Sequence, residues 1–151
     1  MELPKTFDEF LDVCTTFQNA GVTPLAAGLK SWEPLLKSSM AFVTAEYLST
    51  DEGKGFGEKY RNGEVTMDGT WNPYIETWSQ LIDNGVYTAD MTGIDHDQAL
   101  EQFATGGSAM FCSGPWDYDA IMEKNPELQL LIPSFPQAKD RTSSASHRVL
   151  H

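Results

Sequence analysis

Asn72-Pro73-Tyr74-Ile75-Glu76-Thr77-Trp78-Ser79-Gln80-Leu81-Ile82-Asp83-Asn84-Gly85 is the clearest helix signal in the chain, and it sets the class of the fold. Asn72 stands where a side-chain oxygen can cap the first turn, and Pro73 brings the fixed φ that suits a helix start. Ile75, Trp78, Leu81 and Ile82 recur at a spacing that places them on one buried face, and Gly85 supplies the stop. The same grammar repeats outward in both directions. Upstream, Thr6-Phe7-Asp8-Glu9 is a capping box, with Phe7, Phe10, Leu11, Cys14 and Phe17 at helical spacing and Gly21 as a stop. Pro34 opens a second helix, through about Leu48, with Leu35, Leu36, Met40, Val43 and Tyr47 facing inward. Phe56 and Tyr60 suit a short helix inside the glycine-rich stretch 51–69. Downstream, Asp95 caps a helix carrying Ala99, Leu100 and Phe103, which stops at Gly106-Gly107, and Gly114-Pro115-Trp116 turns into a last short helix ending near Lys124.

Strands are few and short. Residues 22–27 are apolar but interrupted by Pro24, which suits an extended edge segment. Residues 108–112 and 128–132 read as two strands lying near each other, and Pro133-Ser134-Phe135-Pro136 can continue neither a helix nor a central strand. The fold class is helix-dominated α/β. A chain of 151 residues suits one domain with a real core, which we place at 1–137. Residues 138–151 lose all apolar periodicity and read as a disordered or non-native tail.

The formal net charge of −12, from 22 acidic and 10 basic side chains, repels nucleic acid and anionic membranes, and neither is expected as a partner. No stretch approaches the roughly 20 apolar residues of a membrane span. Met1-Glu2-Leu3-Pro4-Lys5 carries no charged-then-apolar leader pattern and runs almost directly into a helix start, so we expect a boundary placed there rather than a cytoplasmic chain.

The residues capable of chemistry are scattered. His96 stands alone between Asp95 and Asp97 at a helix start, where the aspartates suit capping better than metal binding. Cys14 and Cys112 have no Cys-x-x-Cys spacing. One disulfide or two free thiols remain open, and the apolar flanks favour buried thiols. Gly-x-Ser-x-Gly is absent. Glu33, Asp117 and Asp119 could supply paired carboxylates for glycoside hydrolysis, but in so acidic a chain a solvated face is the plainer reading. No metal and no cofactor are expected.

The tryptophans say more. Trp78 lies on the apolar face of its helix and reads as core, while Trp71 reads as a staple against the following turn. Trp32 and Trp116 sit instead in loops punctuated by glycine and proline, 28–34 and 112–117. A tryptophan presented in this way can stack on the C–H face of a pyranose, while neighbours such as Ser113, Gly114 and Asp117 bind its hydroxyls. Loop tryptophans also plug cores, and both readings stay open on pattern alone. On the sugar reading, Trp32 and Trp116 should face one cleft.

Five segments in order then resemble a known family. They are Leu3-Pro4-Lys5-Thr6-Phe7-Asp8-Glu9-Phe10, Asn19-Ala20-Gly21-Val22-Thr23-Pro24-Leu25, Trp78-Ser79-Gln80-Leu81-Ile82-Asp83-Asn84-Gly85, Phe103-Ala104-Thr105-Gly106-Gly107-Ser108-Ala109-Met110 and Ser113-Gly114-Pro115-Trp116-Asp117. Together they resemble the family 1 extracellular solute-binding proteins, the sugar-binding components of ABC importers. The resemblance implies a periplasmic-binding-protein-like fold of two lobes that closes on its ligand by hinge bending. This chain is similar to the second, largely helical lobe, and residues 133–136 resemble the start of the crossing back. By the same resemblance Trp116 stacks on sugar and Trp32 lines the cleft. The implied partners are a sugar or oligosaccharide, the first lobe and ABC permease subunits. The implied location is extracytoplasmic, as a surface lipoprotein or in the periplasm. The first lobe, signal peptide and lipid-anchoring cysteine are expected outside this sequence. Two alternatives remain. A glycosidase fragment would turn over a glycoside, and a ligand-free helical scaffold would lack a tryptophan-lined groove.

Overall fold

Two reciprocal capping boxes fix where the longest-range pieces of the fold begin. In the computed structural model, which describes residues 3–131, the Glu9 amide donates to Thr6 Oγ1 and the Thr6 amide to Glu9 Oε2, each at 3.2 Å. They start α1, Phe7–Asn19. Asp95 and Gln98 repeat the exchange at 3.0 Å in each direction and start α5, His96–Ala104. Both pairs satisfy amides that a helix start leaves without partners.

Between them lie β1 (Thr23–Ala26), α2 (Glu33–Val43), α3 (Phe56–Arg61) and α4 (Asn72–Asp83), followed by β2 (Ser108–Phe111) and α6 (Tyr118–Lys124) beyond α5. The strands form a parallel pair, with Leu25 opposite Met110 and Ala26 opposite Phe111. A parallel pair requires a long crossover, here supplied by α2 to α5. Pro24 is tolerated because, among the described residues, the sheet has two strands and both are edges.

Several details depart from the sequence expectations. Asn72 does not cap α4. The cap residue is Trp71, and the Asn72 amide group turns back to donate to Asp68. Trp71 does not staple the following turn either, because its ring stacks on Phe56 at 5.4 Å. Ile82 and Leu36 face solvent. In α2 the inward row is Leu35, Ser38 and Phe42, which leaves Leu36 about 100° round the axis. A π-helical turn, Thr44–Leu48, then carries Tyr47 into the interior. The expected strand at 128–132 is not one over its described part. Residues 128–131 run as irregular chain, and Leu128 and Leu130 pack on Leu100, Ala104 and Ile121 beside Phe111. A short apolar run shows that a segment is buried without showing that it pairs. Ile132, the segment 133–136 and the tail 138–151 lie outside the described residues, as does the boundary at Gln137.

The main core gathers Phe7, Phe10 and Cys14 of α1, Leu25 of β1, Phe42 of α2 and Leu81 of α4 with Val86, Tyr87 and Met91. Leu81 is 0% exposed at its centre. Leu81→Ala is therefore expected to cost about 2–5 kcal/mol, read as a lowered urea midpoint at an unchanged slope. A loss below about 1 kcal/mol would mean that the core collapses around the gap.

Candidate ligand-binding site

Because the strands are parallel, both carboxyl ends open at the same edge, the place where open α/β sheets present ligand sites. The two loops leaving that edge carry the tryptophans singled out above. The Cys112 amide extends the ladder one step by donating to Ala26 O at 2.9 Å, so the loops start side by side. The first loop is then pressed onto the start of α5. A Cβ on Gly28 would lie 2.7 Å from the Asp95 carbonyl carbon and from the His96 nitrogen, so only glycine fits there.

Trp32 precedes α2 and is 68% exposed. In the second loop Pro115 opens a single 3-10 turn, Pro115–Asp117, which leaves Trp116 66% exposed. Its benzo ring folds back over Gly114, where a Cβ would come within 2.3 Å of the ring. Gly114 is thus the seat of the indole. The Lys37 ammonium lies 5.1 Å from the Trp116 ring centroid and 3.4 Å from Glu33, one helical turn back and adjacent to Trp32. Through Lys37 the first turns of α2 face the Trp116 turn.

Asp117 follows the indole but faces inward. Its residue is buried, Ser113 Oγ donates to its Oδ2, and His96 Nε2 lies 3.1 Å from both carboxylate oxygens. Of the three acids considered for hydrolysis, Glu33 pairs with Lys37, Asp117 is engaged internally and Asp119 is exposed. Trp78 packs against the main core and donates through Nε1 to Ser38 Oγ at 3.0 Å. Sequence reasoning missed Lys37 and the His96 contact. The Glu33–Lys37 spacing was visible as an i,i+4 pair, but the approach of Lys37 to Trp116 crosses the fold, as does that of His96 to Asp117.

Beneath the loop, the Cys112 sulfur sits 3.5 Å from the Tyr87 hydroxyl. Burial pushes the Cys112 thiol up, against smaller opposing effects of Tyr87 and Lys37, and burial pushes Cys14 up to about 12. Both thiols are free. They are expected to resist a thiol reagent at pH 8 in the native chain and to react on unfolding, because only the thiolate attacks. Rapid native labelling of Cys112 would instead mean that the loop opens.

The family of bacterial extracellular solute-binding proteins matches residues 2–147. The chain belongs to this family. A structure from studies of xylan utilization by the thermophilic bacterium Caldanaerobius polysaccharolyticus is 25% identical with a TM-score of 0.61, over 84% of this chain and 31% of that one. The sugar transporter of Bacillus licheniformis in complex with stachyose superposes with a TM-score of 0.74 at 18% identity, over 97% of this chain and 38% of that one, a likeness of fold. The solute-binding chain thus spans about a third of the length of these structures. Comparison with the curated proteins returns no match.

Proposed function

We propose that this solute-binding chain is the helical lobe of an extracytoplasmic protein that captures a sugar or oligosaccharide for an ABC permease. The observation that carries this reading is the Trp116 indole, two-thirds exposed and seated on Gly114 at the carboxyl edge of the parallel pair. An aromatic face kept open to water at such an edge suits the apolar C–H face of a pyranose. Trp32, on the neighbouring loop, gives a second flat surface, and the Ser113 hydroxyl and the backbone amides between them can meet sugar hydroxyls. The ligands to test first follow from what the similar structures are described by, xylan utilization in one and bound stachyose in the other: a series of xylo-oligosaccharides, and stachyose with its shorter homologues. On this reading residues 1–137 form the lobe, and a second lobe supplies the opposite wall of the cleft. Binding and release, with no bond made or broken, are the whole of its chemistry.

Calorimetric titration with these two oligosaccharide series, followed by chromatography of the recovered sugar, tests the proposal. Binding with the sugar recovered intact supports it. Cleavage abolished by Asp117→Asn would favour the glycosidase reading, and absence of any binding by the two-lobed protein would leave a helical scaffold.

A further inference from the structure

Trp116 is held by little of its own packing. Its ring touches Gly114 along one edge and meets the Lys37 ammonium, itself half exposed, on a face. The direction of the indole therefore depends on the backbone of its turn, and that turn is anchored from both ends by one carboxylate. We propose that His96, Asp117 and Ser113 form a strut that aims Trp116, a positioning unit joining the start of α5 to the turn that carries the indole. The inference rests on the reading of Trp116 as a stacking surface.

The geometry has three parts. Ser113, before the indole, donates its hydroxyl to Asp117 Oδ2, after it, while the Asp117 amide donates to Gly114 O at 3.1 Å. The turn is thereby closed twice, by side chain and by backbone. The carboxylate is then tied across the fold to His96, whose Nε2 must carry the proton to donate. Finally, the base of the strut is itself rigid. His96 is the first residue of α5, directly after the Asp95–Gln98 capping box and against Gly28, with its ring 5.6 Å from that of Phe111. A buried carboxylate is costly unless donors meet it, and an apolar side chain would fill the same space more cheaply. What the carboxylate adds is direction: two donors fix the turn in a single orientation. His96 and Asp117 thus act through Trp116, and neither needs to touch the sugar.

The test uses the whole chain labelled with 5-fluorotryptophan. Its four tryptophans should give resolvable fluorine-19 lines, with that of Trp116 assigned by Trp116→Phe. His96→Ala and Ser113→Ala alter side chains at the surface, so the fold should survive even if Asp117→Ala does not. Each is expected to shift or broaden the Trp116 line without sugar present, and His96→Ala, which removes no sugar contact, to weaken binding of a xylo-oligosaccharide or stachyose roughly tenfold, the scale of a lost hydrogen bond to a charged group. His96→Gln, which keeps an N–H donor, should restore most of both. His96→Ala combined with Trp116→Ala should bind no worse than Trp116→Ala alone, since a strut has nothing left to aim. An unmoved Trp116 line in both alanine variants, or losses that simply add, would overturn the strut. If no sugar binds but the line still moves, the strut stands and the stacking reading falls.

Discussion

Trp116→Ala is expected, on the proposed sugar-binding reading, to lower the affinity for a xylo-oligosaccharide or stachyose by roughly thirtyfold or more, on the order of 2 kcal/mol, the scale at which central tryptophans dominate binding surfaces. The physical source is twofold. The indole offers a broad apolar face already exposed to water in the free chain, so stacking removes apolar area on both partners without first unpacking anything. It is also aimed beforehand, by its seat on Gly114 and by the Asp117 anchor, so little ordering is lost on binding. Folding should be almost untouched, because a residue 66% exposed contributes little to the core. Trp78→Ala should behave in the opposite way, lowering the thermal midpoint through a gap beside the main cluster. Calorimetry and thermal melts on both variants separate the two roles. If Trp116→Ala bound sugar as well as the parent chain did, the site would have to be sought elsewhere.

How much of this was legible depends on the range of the interaction. The caps at Thr6 and Asp95, the stripe Phe7-Phe10-Cys14 and the turn at Gly114-Pro115 are settled by residues within one or two helical turns, and sequence reading places each correctly. Asn72 failed as a cap because Asp68, in the preceding turn, competes for its side chain. Leu36 and Ile82 failed because helical spacing defines a face but leaves its width to whatever packs against it. Residues 128–131 alternate like a strand and half-bury Leu128 and Leu130, yet among the described residues they join no ladder, and the Leu128 amide closes a turn on Asn125 O instead. His96 read as isolated for the same reason that Lys37 went unnoticed. Their partners, Asp117 and Trp116, arrive from 21 residues away in one case and from the far end of the crossover in the other. Local chemistry was readable; convergence was not.

The isolated chain is expected to fold but to bind sugar at least a hundredfold more weakly than a two-lobed protein containing it. Folding follows from its own interior, with Phe7, Phe10, Phe42, Leu81 and Val86 meeting in one cluster without help from another chain. Weak binding follows from what one wall can supply. Trp32 and Trp116 are both about two-thirds exposed, so a sugar stacked on either keeps its opposite face in water. Hydroxyls bonded to Ser113 or to the loop amides compete there with solvent, and such bonds gain little over their hydrated alternatives. A second lobe closing over the sugar would add donors and another apolar wall while expelling that water. Even ~3 kcal/mol of such contacts amounts to roughly a hundredfold in affinity. The similar structures, of which this chain spans 31% and 38%, have the length for such a second lobe. Calorimetry of the chain and of the two-lobed protein against the same xylo-oligosaccharide and stachyose samples decides the matter. Equal affinities would place the entire site on the carboxyl edge described above, and closure between lobes would then have no part in capture.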